Sequence, residues 1–106
     1  MKRVFIVHGW NGSPEGGWKP WLKRQLERKG FNALVPAMPH PALPKCGEWI
    51  ARLRKIVGKP DDNCFFVGHS LGAPAVLRYL EALPTKTKVS GAVLVAGLAE
   101  LHGYPH

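Results

Sequence analysis

The stretch Cys64-Phe65-Phe66-Val67-Gly68-His69-Ser70-Leu71-Gly72 decides the fold of this chain. Its first four residues are a continuous apolar run, the signature of a parallel strand buried on both faces. The next five form Gly-x-Ser-x-Gly, and the chain turns there from strand to helix. Glycines on either side of the serine permit a sharp turn and let strand and helix pack closely. A serine on such a turn is lifted out of the sheet, where its hydroxyl can act as a nucleophile. The plainer alternative is a serine that only caps a helix in an ordinary strand-helix turn. From Leu71 to Leu83 apolar residues go most of the way round, which predicts a helix buried on more than one side. Pro74 falls in its first turn, where a missing N–H costs little, and Pro84 ends it.

Working outward, Val4 to Val7 is a second apolar run of the parallel-strand kind. Trp18, Trp21, Leu22 and Leu26 recur at helical spacing until Gly30 stops the pattern. Phe31 to Val35 reads as a strand closed by Pro36. Pro36 to Pro44 holds too many prolines for a helix or a central strand and predicts a stiff, extended loop. Cys46, Trp49, Ile50, Leu53, Ile56 and Val57 then mark an amphipathic helix ended by Gly58 and Pro60. Asp61-Asp62-Asn63 is a turn, and Val89 to Val95 is the fourth strand. The order βαβαβαβ implies a parallel sheet with right-handed crossovers and helices on both faces, a three-layer α/β sandwich. Its functional rim is formed by the loops that follow the strands' C-terminal ends.

The chain has 106 residues, the size of one domain with a core of its own, and 45% of them are hydrophobic. It contains no apolar run long enough for a membrane span. The apolar run near the N-terminus is too short for a signal peptide and lacks a small-residue cleavage site, so it is read as the first strand. Cys46 and Cys64 show neither a disulfide framework nor metal-ligand spacing, so reduced thiols in a cytoplasmic protein are expected, with no metal and no cofactor. The formal charge of +8 raises nucleic acid as a partner. However, Lys19, Lys23, Arg24, Arg28 and Lys29 lie on one predicted helix, and Arg52, Arg54, Lys55 and Lys59 on or beside another. They fall between apolar positions, as on solvated helix faces, and no nucleic-acid motif accompanies them, so specific nucleic-acid binding is not expected.

His8-Gly9-Trp10-Asn11-Gly12 follows the first strand on the same rim as Ser70. A His-Gly turn there brings backbone N–H groups close to the serine. The N–H of Trp10, with that of Leu71 at the helix N-terminus, would form an oxyanion hole, and the helix dipole adds to its attraction for negative charge. The glycine-rich run to Gly17 lacks the Gly-Lys-Ser/Thr of a phosphate loop. His8 is expected to pack the loop, and His69 to pack behind the turn.

Taken together, Val7-His8-Gly9-Trp10-Asn11-Gly12, the proline loop Pro36 to Pro41, Trp49 and Gly68 to Pro74 resemble the α/β-hydrolase superfamily. More narrowly, they are similar to the small serine hydrolases related to retinoblastoma-binding protein 9. The likeness covers essentially the whole chain. It implies a partial α/β-hydrolase fold with a four-stranded sheet in the order 2-1-3-4. It also implies a Ser, Asp and His triad whose Asp and His lie on two later strand ends. No segment here matches those ends, so residues 1–106 are expected to form one hydrolase-like domain lacking its C-terminal portion.

Which local residues could assist Ser70 is a matter of topology. Asp61 and Asp62 precede the third strand and Ser70 follows it, so the strand separates them by roughly 20 Å at 3.3 Å per residue. They are turn formers. Glu15, Glu48 and Glu100 lie on the rim, as do His40 and the tail residues His102 and His106. Topology allows a Ser70–His102–Glu100 arrangement. The alternative is that Glu100, His102 and His106 are ordinary polar tail residues. The expected function is hydrolysis of a small-molecule or peptide ester or amide through Ser70. The alternative is a non-catalytic hydrolase-fold module that binds a partner or self-associates, with a homodimer forming through the edge strand Val89 to Val95.

Overall fold

A computed structural model describes residues 2–9, 15–40, 42–43, 45–84 and 86–95, with the main chain alone at Cys46 and Val95. Strand β1 (Arg3–Val7) leads to helix α1 (Lys19–Arg28), β2 (Asn32–Leu34), α2 (Cys46–Val57), β3 (Cys64–His69), α3 (Gly72–Glu81) and β4 (Gly91–Val95). All strand pairs are parallel, in the order β2-β1-β3-β4. Both the alternation and the order match the expected partial α/β-hydrolase architecture. The element ends differ slightly. β2 is shorter than Phe31 to Val35: the Phe31 N–H is taken by the Leu26 carbonyl at 3.1 Å at the end of α1, and its ring sits edge-on against Phe65 at 5.8 Å. β4 starts at Gly91, and Ser90 just before it is tied to the start of β3, donating its N–H to the Cys64 carbonyl and its hydroxyl to the Asp62 carbonyl.

Phe5, Val7, Cys64 and Phe66 on the sheet pack with Trp49, Leu53 and Val57 of α2 and with Ala75, Val76 and Tyr79 of α3. Phe5 and Phe66 stack with ring centroids 5.4 Å apart. Each large apolar side chain taken fully from water contributes about 1.5–3 kcal/mol, and these form the main stabilising cluster. At the opposite end from the rim, Arg3 donates Nη1–H to the Val57 carbonyl at 2.9 Å and lies over the Phe5 ring at 5.2 Å. It thereby ties the end of α2 to the start of the sheet. Gly58 ends α2 at φ +67°, a conformation costly for any residue with a Cβ. The Asp61 carboxylate accepts the Asn63 N–H at 2.9 Å, which closes the turn before β3 and holds this exposed carboxyl below its ordinary pKa.

One basic residue departs from the solvated-face expectation. Lys19 is only 5% exposed, with its ammonium 6.0 Å from the centre of the Trp18 ring. Burial pushes its pKa down. Its long stem is covered while the charge stays against an aromatic face. Conversely, Trp21 is 57% exposed despite its helical spacing, because Trp18, Leu22 and Leu26 form the row that faces the sheet. Among the described residues no helix is long and apolar enough to cross a membrane, and no group of three His, Cys, Asp or Glu could hold a metal ion.

Candidate functional site

Three chain segments converge at the C-terminal ends of β1 and β3, and three glycines allow it. A Cβ on Gly68 would lie 2.7 Å from Ala73 Cα and 2.8 Å from the Gly72 carbonyl oxygen. The start of α3 therefore sits directly on the end of β3. A Cβ on Gly72 would overlap the Val7 and His8 carbonyl oxygens, which brings the same helix start against the end of β1. A Cβ on Gly9 would lie 2.9 Å from Ser70 Cβ and 3.5 Å from its Oγ. The turn after β1 thus abuts the serine side chain, as expected of the His-Gly sequence.

Ser70 occupies the turn itself, half-buried, with φ +54°. Such left-handed geometry costs an L-residue on the order of 1 kcal/mol or more and persists where the surroundings enforce it. Here the enforcement is the close packing at Gly68 and Gly72. Ser70 accepts the Ala73 N–H on its carbonyl at 3.0 Å as the helix begins. Leu71 follows as the N-cap residue of α3 in helical geometry. The first N–H groups of a helix have no intrahelical partner, and the helix dipole leaves them partly positive. This end of α3 is therefore suited to an anionic oxygen beside Ser70.

His8 is buried and has both ring nitrogens engaged. Its Nε2 accepts the Met38 N–H at 3.0 Å, and Nδ1 lies 3.1 Å from the Gly9 carbonyl. A backbone N–H can only donate, so Nε2 is unprotonated and Nδ1–H donates to Gly9. Burial holds the His8 pKa below its ordinary value. His8 is thereby a brace between the Gly9 turn and the proline loop, in agreement with the packing role expected for it. The brace continues outward, because Trp49 packs edge-on to His8 at 5.4 Å and donates Nε1–H to the Pro39 carbonyl at 2.7 Å. His69 packs edge-on against Trp18 at 5.4 Å. Burial, and then the positive charge of Lys19, push its pKa down.

Of the expected site residues, Ser70 and Leu71 are adjacent on the rim, whereas Trp10, Glu100 and His102 lie outside the described residues. The His40 Nε2 is 4.0 Å from Glu48 Oε2, too far for a hydrogen bond, and both groups are substantially exposed. The sequence gives no sign of the His8–Met38 link, because it joins residues thirty positions apart.

A family model described as serine hydrolase matches residues 4–104. The putative hydrolase YdeN of Bacillus subtilis is 38% identical over 99 residues, covering 93% of this chain and 52% of that protein. The serine hydrolase RBBP9 of Rattus norvegicus is 33% identical over 82 residues, covering 74% of this chain and 44% of that protein. The crystal structure of the ydeN gene product superposes with a TM-score of 0.84 at 37% identity, over 89% of this chain and 50% of that one. The chain thus spans about half the length of the relatives it matches. Close family likeness over nearly all of the chain agrees with a strained serine set between two close-packed glycines: the chain belongs to the serine hydrolase family.

Proposed function

We propose that Ser70 is the nucleophile of a hydrolase that cleaves an ester or amide through an acyl-enzyme. The observation that carries this is the positive φ of Ser70 at the β3–α3 turn, held by packing at Gly68 and Gly72. In the proposed reaction Oγ attacks the substrate carbonyl carbon and its proton passes to His102, which Glu100 orients. The carbonyl oxygen becomes an oxyanion held by the N–H groups of Leu71 and Trp10. Removing one donor of this kind costs about 3–4 kcal/mol of barrier. The C–O or C–N bond then breaks, and the departing oxygen or nitrogen takes the proton from His102. Water, deprotonated by the same imidazole, attacks the acyl carbon, the ester bond to Oγ breaks, and the imidazolium returns its proton to Oγ, releasing the acid and restoring Ser70. A p-nitrophenyl ester tests this directly: a burst of nitrophenol stoichiometric with protein is expected, absent from Ser70→Ala. Equal turnover by the two proteins would overturn it. The free, buried Cys64 thiol fits a cytoplasmic setting for this activity.

The exposure of β4 favours a second reading, a non-catalytic module that self-associates through residues 89–95. Val93 is 60% exposed and Leu94 38%, on a strand that pairs only with β3 among the described residues. Open parallel edges of this kind are templates for further pairing. Light scattering decides it: a monomer at high concentration would exclude that homodimer.

A further inference from the structure

Lys19 departs from the pattern of a surface lysine in three ways. It is 5% exposed, and burial disfavours its charged form. It opens α1, where the positive end of the helix dipole repels an ammonium. Among the described residues no carboxylate forms an ion pair with it. Glu15 is close enough to act on His8, yet no negative charge offsets the burial of Lys19. The Trp18 ring, its centre 6.0 Å from the ammonium, supplies only a weak attraction. A residue that breaks several local rules without compensation is expected at a functional position.

Its neighbours place this charge. Trp18, against which the ammonium lies, packs edge-on to His69 at 5.4 Å. His69 directly precedes Ser70 in the chain, and His8 directly precedes Gly9, whose turn abuts the Ser70 side chain. The Lys19 charge acts on both imidazoles and helps to push the pKa of each down. The ammonium therefore stands by the ends of β1 and β3, on the rim that carries Ser70. Both imidazoles are neutral at pH 7, so Lys19 is the cation that this group of residues presents. One desolvated positive charge matches the single negative charge of a carboxylate, rather than the nearly two of a phosphate monoester.

We propose that Lys19 is a specificity-determining residue of the Ser70 site, whose ammonium binds a free carboxylate on the ester or amide substrate. The proposal rests on the reading of Ser70 as nucleophile and names the substrate class for it.

The experiment compares three chromogenic esters. p-Nitrophenyl hexanoate is neutral, mono-p-nitrophenyl adipate carries a carboxylate on the acyl side, and the hexanoate ester of a hydroxynitrobenzoate carries one on the leaving side. The kcat/KM of each carboxylate ester is divided by that of the neutral ester. One of the two ratios should fall about tenfold or more in Lys19→Met, the worth of a hydrogen bond to a charged group. Lys29→Met removes the same charge from the exposed far end of α1 and should leave both ratios within about twofold of wild type. Ratios that fall equally in both variants, or in neither, would overturn the proposal. Lys19→Met should be at least as resistant to urea as wild type, because it removes a buried charge that has no partner. A loss of stability would assign Lys19 to an ion pair within the chain and overturn the proposal. Binding is read separately on Ser70→Ala by NMR titration with hexanoate, and adding Lys19→Met should weaken it about tenfold or more. Hexanoate binding indifferent to Lys19 would overturn the proposal. No turnover of any ester, with hexanoate binding still dependent on Lys19, would overturn the hydrolase reading and uphold the carboxylate site.

Discussion

Replacing Gly68 with alanine adds one methyl group at the junction on which the site depends. The added carbon would lie 2.7 Å from Ala73 Cα, 2.8 Å from the Gly72 carbonyl oxygen and 2.9 Å from Ala73 N, where ordinary contact begins at 3.4 Å. All three atoms are backbone of the first turn of α3, so none can swing aside as a side chain would. The helix start must move by about half an ångström, and α3 carries Ala75, Val76 and Tyr79 into the core. Overpacking of this sort costs about 1–3 kcal/mol, and a clash with backbone alone belongs in the upper half of that range. Gly47→Ala supplies the control. Nothing lies within 4 Å of its added methyl group in α2, so it should gain about 0.5–1 kcal/mol of helix stability. Urea titrations followed by circular dichroism and tryptophan fluorescence measure both variants. The displaced turn should also slow acylation of Gly68→Ala by about tenfold or more. A Gly68→Ala protein within 0.5 kcal/mol of wild type, acylating at the wild-type rate, would refute the close-packing account.

Ser70→Gly should be about 1 kcal/mol more stable than Ser70→Ala in the same titrations, since both lack the hydroxyl and only alanine bears the cost of φ +54°. Equal stabilities would argue against strain at the turn. Tyr79 is buried, with a hydroxyl that finds no partner among the described residues. Tyr79→Phe should therefore be neutral or stabilising by up to about 1 kcal/mol, and a loss of that size would reveal a hydrogen bond there. Burial lowers the pKa of His8 from its ordinary 6.5. The stabilising contribution of the neutral ring is full above that value and is lost as pH falls from 6.5 towards the lowered folded value. In that window the unfolded chain binds a proton that the folded chain does not. His69 acts in the same direction. Each contributes a slope of at most about 1.4 kcal/mol per pH unit. Urea midpoints that do not move between pH 7.5 and 5.5 would contradict this, and His8→Gln should flatten the dependence.

The element sequence was legible because each element carries its own local signal, whereas the sheet order 2-1-3-4 followed from the family resemblance. Apolar runs at Val4 to Val7 and Cys64 to Val67 mark buried parallel strands, and the 3.6-residue period through Trp49, Leu53 and Val57 marks α2. Gly68 and Gly72 were legible as punctuation, although only the structure shows which atoms they admit: Ala73 Cα for one and the Val7 and His8 carbonyls for the other. What escaped was long-range. Nothing local to Lys19 announces its burial against Trp18, since its neighbours in sequence are those of an exposed helical lysine. The same holds for His8, whose acceptor role is set by Met38 from the other side of α1 and β2. Periodicity alone overcounted Trp21, because a helix touching the sheet along one row leaves the adjacent row exposed. The choice of His102 and Glu100 as partners of Ser70 is a statement about relative position, which spacing in sequence does not determine.

The most direct test of Ser70 as nucleophile is intact-mass analysis after exposure to a fluorophosphonate. One phosphonyl adduct per chain is predicted for the wild type, located on the peptide containing Ser70 and absent from Ser70→Ala. A wild-type chain that takes no adduct, or a Ser70→Ala chain labelled to the same extent, would contradict the account.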